Sequence, residues 1–222
     1  GTTWSYFETG AVACPECGSL HSTGRGERTR HTDRSVDLDL DEPRKTAAAG
    51  ALDDALDEAA DRCLAFVRRR GFVDRGTLRD LDEPYVFAQE LRHAATLSSR
   101  LQRSDAERAY LLSLFEDAPT RPPADAVPDS LRAVRGLAAA TAVRDYRDEV
   151  RTWLDDEPEC PEGRALLESL GDHVKRVRAL DGEVEPETAD ALVDAARAVG
   201  RYCRERTDET LEAAREAVDE LR

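Results

Sequence analysis

The sequence contains no isoleucine, methionine or asparagine, and its only lysines are Lys45 and Lys175. Aromatic residues make up 5% of the 222 positions, so any core must be built largely from Leu, Ala and Val. No run of 18 apolar residues occurs, which excludes a membrane-spanning helix. The longest uncharged apolar stretch, Gly136 to Val143, is far too short. No secretory signal is visible. The five cysteines, at 14, 17, 63, 160 and 203, are sparse and odd in number. They do not read as a disulfide framework, and a reduced, cytoplasmic protein is expected.

Acid is what the chain has in excess. Asp and Glu number 47 against 32 Lys and Arg, for a net charge of −15. Such a charge disfavours non-specific binding to nucleic acid or to an anionic membrane. The missing residues have AT-rich codons, as lysine does. A GC-rich, acidic, lysine-poor composition resembles the proteome style of salt-accumulating haloarchaea. There, molar salt shortens the Debye length to about 3 Å and screens repulsion between carboxylates. The alternative is an acidic protein of a GC-rich bacterium. Where every surface is acidic, only local departures carry information. One departure is "RGERTRHTDR", which sets Arg25, Arg28, Arg30 and Arg34 against Glu27 and Asp33.

The chain divides into three parts. Residues 1–24 form a small module: "TTWSYFET" is β-branched and aromatic, hence strand-like, and Ala11 to Ala13 suit a short return strand. Residues 25–45 read as an Arg-bearing linker, in which Val36, Leu38 and Leu40 alternate with carboxylates as an edge strand or extended segment would. Residues 46–222 read as an acidic helical domain of five to seven helices without a sheet. Apolar residues recur there at helical spacing, as in Leu52, Leu56, Ala59, Cys63 and Phe66. Pro84 and Pro186 suit helix starts. Ser104 and Glu107 have the spacing of a capping box. Pro-rich 118–128 is a loop. Thr207 either caps a break in the last helix or is passed through. The fold class is therefore mainly α, with a small N-terminal β module followed by a helical bundle.

Cys14 and Cys17 sit in "CPECG", with Gly18 where a tight turn needs positive φ. Thiolates suit zinc, which takes four tetrahedral ligands. The stretch "GTTWSYFETGAVACPECGS" resembles the second half of the N-terminal ribbon in haloarchaeal proteins that carry a zinc ribbon of the transcription-factor-B type. In that family a CxxCG precedes the aromatic strand, so Gly1 falls where the glycine of a first knuckle stands. The resemblance implies a zinc half-site at Cys14 and Cys17, with the other two ligands upstream of Gly1. It implies no particular activity. Three other readings of the pair stay open: a thioredoxin-like dithiol, a site completed by His21 or His31, and a purely structural pair.

Other polar residues point less clearly to a function. Cys63 and Cys203 fall on apolar stripes and read as filler. Cys160 opens a helix, where a thiolate is favoured. Glu90 and His93 make one Glu-x-x-His, but a bundle di-metal site needs two. "RGFVDRG" lacks the residues of a phosphate loop. The carboxylates read as solvated faces, and Tyr146 and Trp153 as core. The expected function is a non-enzymatic zinc-ribbon protein whose helical domain contacts protein partners or itself. Nucleic acid is a further expected partner, through the ribbon and Arg25, Arg28, Arg30 and Arg34. The alternatives are a structural helical oligomer and an enzyme or small-molecule binder with an inter-helix pocket.

Overall fold

The computed structural model describes residues 4–11, 13–18, 29–34, 36–98, 103–116 and 119–221. Gly1, His21, Arg25 and Arg28 lie outside them. The described chain is mainly α-helical. A single turn, α1 (Tyr6–Thr9), is followed by α2 (Asp41–Ala48), α3 (Leu52–Val67), α4 (Glu83–Ser98) and α5 (Asp105–Glu116). Two 3₁₀ turns lead into α6 (Arg132–Trp153), then come α7 (Pro161–Ala179), α8 (Pro186–Glu205) and α9 (Asp208–Asp219). No helix among the described residues is long and apolar enough to cross a membrane.

The organising element is α6. It packs against α4, α7 and α8, while α3 packs on α4 and α9 on α8. Its middle, Ala138–Ala139–Ala140 with Ala142 and Val143, is buried on all sides, which lets neighbouring helices approach closely. At Gly136 the approach is to backbone. A Cβ there would stand 2.1 Å from the Gly182 carbonyl oxygen in the α7–α8 connection, so no larger residue fits. Tyr146 and Trp153 are buried, as their spacing led us to expect.

The expected caps form. The Ser104 amide donates to the Glu107 carboxylate at 2.6 Å, and the Glu107 amide donates to the Ser104 hydroxyl at 3.2 Å. Thr207 does cap a break. Arg206 ends α8 in the left-handed region, and the Thr207 side chain accepts from the Thr210 amide to start α9.

Three expectations need correction. The helical part does contain a sheet, a hairpin of β1 (Val73–Asp74) and β2 (Thr77–Leu78). Arg75 and Gly76 both have positive φ, 51° and 83°, as the two-residue turns matched to strand twist require. The helical body also opens at Asp41, before the boundary placed at 46. Finally, the residues read as a strand near Tyr6 form the helical turn α1. The Gly10 amide donates to the Tyr6 carbonyl at 2.7 Å, and Gly10 closes the turn at φ 63°. A strand leaves its amides to a partner, whereas a helical turn satisfies its own. No strand occupies the described residues of the N-terminal module.

Candidate functional site

The hairpin is fixed to the far end of α6. The Trp153 indole donates to the Gly76 carbonyl at 2.8 Å, and the Tyr146 hydroxyl donates to the Arg79 carbonyl at 3.0 Å. Phe72, just before β1, stands edge-on to Tyr85 and Tyr146, with ring centroids 4.8 and 4.9 Å away. Residues 30–34 run along the hairpin as an irregular strap. Thr32 and Asp33 amides donate to the Val73 carbonyl at 2.8 and 3.0 Å, and the Arg34 amide donates to the Arg69 carbonyl at 3.1 Å. One carboxylate oxygen of Glu149, on α6, accepts from both the Phe72 amide (2.8 Å) and the Thr32 hydroxyl (2.5 Å). The strap that was expected to be a linker is therefore bonded to the helical body over these residues.

Gly71 lets the strap come this close. A Cβ at 71 would stand 2.5 Å from the Thr32 carbonyl carbon and 2.6 Å from its oxygen, both backbone atoms that cannot swing aside. Replacing Gly71 by Ala should cost about 1–3 kcal/mol, as overpacking does. It should also speed amide exchange at Thr32 and Arg34. Unchanged stability and exchange would show that the strap is not held by this contact.

Strap, hairpin, the end of α3 and α1 line an open polar cleft of about 790 Å³. Five arginines line it, Arg34, Arg68, Arg69, Arg75 and Arg79, against two carboxylates, Asp33 and Asp74. Both carboxylates are already taken. Asp33, only 4% exposed, accepts from Arg70 at 3.2 Å and lies 3.3 Å from the Arg79 Nε. Asp74 pairs with Arg79 and lies 3.9 Å from the Arg75 Nε. The Arg79 guanidinium holds the Asp74 carboxyl below its ordinary range against some desolvation. Among the described residues, no ion pair or side-chain hydrogen bond engages Arg34, Arg68 or Arg69, and all three are exposed.

Of the two described arginines singled out in the sequence, Arg30 and Arg34, Arg34 lines this cleft, while Arg25 and Arg28 lie outside the described residues. Arg30 is spent on Asp156 at 2.7 Å, which ties the strap to the turn that follows α6. Arg68 and Arg69 carried a signal that sequence reading passed over: three consecutive arginines, 68–70, in a chain of net charge −15.

Cys14 and Cys17 are brought together in a tight turn. The Gly18 amide donates to the Cys14 carbonyl at 2.8 Å, and Gly18 takes φ 68°. The backbone amides of Cys17 and Glu16 beside the Cys14 sulfur lower its pKa and favour the thiolate. Two thiolates from such a turn suit zinc, but they fill only two tetrahedral positions. No third His, Cys, Asp or Glu joins them among the described residues. His31 is turned to the hairpin, where its Nδ1 accepts from the Arg75 amide at 3.2 Å.

The remaining candidates are absorbed by the fold. Glu90 is completely buried, contrary to the reading of the carboxylates as solvated faces. Its carboxylate accepts from Arg135 at 2.7 Å and from the Tyr110 hydroxyl. Arg135 also binds Asp190 through two nitrogens, at 2.9 and 2.8 Å. Arg121 bridges Glu83 at 2.6 Å and Asp190 at 3.1 Å, and Arg197 reaches Glu83 at 2.9 Å. Three carboxylates and three guanidiniums thus tie α4, α6, α8 and the loop before α6 together. Burial pushes the Glu90 carboxyl up, opposed by Arg135 and Tyr110. Burial also disfavours the Arg135 cation, but Glu90 and Asp190 outweigh it and stabilise the charge. His93 does not join Glu90 in a metal pair, and its Nε2 lies 3.3 Å from the Thr141 hydroxyl.

Cys63 is buried filler, its thiol pushed up to about 12 by desolvation. Cys160 and Cys203 are both buried, and both pack over Gly163. No curated protein and no solved structure matches the chain. Residues 1–218 match a family of unknown function, DUF7117, and the chain belongs to that family.

Proposed function

We propose that this is a zinc-ribbon binding protein, an adaptor without catalytic activity of its own. The observation that carries the reading is the tight Cys14–Gly18 turn, closed by the Gly18 amide on the Cys14 carbonyl at 2.8 Å, which sets the two cysteines on one turn as a zinc knuckle does. The knuckle supplies two thiolates, and two further ligands complete the tetrahedron. The strongly perturbed groups of the helical body, Glu90, Tyr110 and Arg135, bond one another. That arrangement suits a structural role better than an acid–base one. The body then serves as the platform that contacts partners, and the acidic, lysine-poor surface suits a halophilic setting.

Zinc stoichiometry of the protein as purified from its native cells tests the proposal. One zinc per chain is expected, lost on Cys14→Ser or Cys17→Ser while the helical circular dichroism stays unchanged. A metal-free natural protein, or zinc retained in both variants, would rule the knuckle out.

A further inference from the structure

From the cleft we infer that the partner is single-stranded nucleic acid, gripped through its phosphates by Arg34, Arg68 and Arg69. The inference names the ligand of the binding-protein reading and rests on that reading, but not on the metal. The three guanidiniums come from two stretches of chain, and the hydrogen bond between the Arg34 amide and the Arg69 carbonyl holds those stretches together. Their charge is left over because Arg70, Arg75 and Arg79 already attend to Asp33 and Asp74. A guanidinium presents a planar fork of donors that matches a phosphate bidentately.

The simpler explanation for Arg68 and Arg69 is complementation of the α3 dipole, since Arg68 caps that helix at its C-terminal end. That explanation does not account for Arg34, which comes from a different segment. It also does not account for Tyr6, which lines the same cleft. Tyr6 is 47% exposed, one of two large apolar side chains so exposed among the described residues. An aromatic face beside unneutralised arginines is how sequence-tolerant binding of single strands is built, with bases stacking while cations track the phosphates. An acidic protein segment would use the arginines and leave the ring idle. The overall charge of −15 does not forbid this, because beyond about 8 Å physiological salt screens it and the local field dominates.

The test is fluorescence anisotropy of a labelled twelve-nucleotide oligothymidylate with the full chain, in buffers where circular dichroism shows it folded. Binding is expected, and the triple variant Arg34→Gln/Arg68→Gln/Arg69→Gln should lose at least tenfold in affinity. Among the described residues those side chains make no hydrogen bond or ion pair, so the variant should melt close to the wild type. Three phosphate contacts on a single strand give a log–log salt slope of about −2, or roughly a thirtyfold loss between 0.2 and 1 M. Tyr6→Ala should weaken binding at least fivefold. Orthophosphate and poly-L-glutamate should compete poorly. No binding by the wild type, a triple variant as tight as wild type, or an unaffected Tyr6→Ala each overturns the inference. Poly-L-glutamate competing as well as unlabelled oligonucleotide overturns it in favour of an acidic protein partner. Zinc content reports on the knuckle and anisotropy on the cleft, so the two claims can fail separately.

Discussion

Replacing Arg135 by Met is expected to destabilise the protein by about 3–5 kcal/mol, the cost of leaving a buried charge without its partner. For a chain of this size that lowers the melting temperature by about 10 °C. Glu90 would lose its 2.7 Å partner in a completely buried position, and Asp190 would lose two hydrogen bonds. The Pro122 carbonyl, which accepts from Arg135 at 3.2 Å, would lose a donor. Most of the damage is the stranded Glu90 charge, so adding Glu90→Gln should recover part of the loss. Equilibrium denaturation of the two single variants and the double variant measures this coupling. If Arg135→Met lies within 1 kcal/mol of wild type, or the two changes simply add, the network is not holding these helices together.

The second large effect is on pH dependence. Burial, with the cations of Arg92 and Arg144 nearby, lowers the pKa of His93 from 6.5 to about 4. In the unfolded chain His93 takes up a proton near its ordinary value, while in the folded protein it resists until near pH 4. The unfolded state therefore binds more protons across that window, and stability falls as the pH drops from 6.5 towards 4. A shift of that size is worth about 3 kcal/mol. Glu83 adds to the loss at the acid end of the range. Burial pushes its carboxyl up, but Arg121 and Arg197 outweigh this and hold it below its ordinary value. The stability from its pairing is present above the unfolded pKa and is lost as pH falls through the folded one. Denaturant midpoints at pH 7.5 and 5 should differ clearly for the wild type and much less for His93→Gln. Equal losses in both would assign the acid sensitivity elsewhere.

The helices were legible because their signals are local. The apolar face from Leu52 to Phe66 became α3, and the Ser104–Glu107 spacing became a capping box with both hydrogen bonds made. The hairpin was hidden because each of its strands is two residues long, too short for a period-2 pattern. Its turn could have been found: Arg75–Gly76 sits between Phe72–Val73 and Thr77–Leu78, a two-residue turn ending in glycine. The buried charges were illegible in principle. Nothing near Glu90 in the sequence announces that Arg135, on another helix, will neutralise it. The cleft was half visible. Arg34 was singled out as part of a basic stretch, but its grouping with Arg68 and Arg69 needs the strap to fold back along the hairpin. The Cys14–Cys17 turn was readable residue by residue, since Pro15, Gly18 and the cysteine spacing all act within five positions.

The central claim, that this protein works through the face shared by strap, hairpin and α1, is tested most directly by amide exchange with and without a twelve-nucleotide oligothymidylate. Slowed exchange should appear at residues 30–34 and 68–79, and the far side of the bundle, α7 and α9, should stay unchanged. Protection confined to α7 or α9, or none at saturating oligonucleotide, would contradict it.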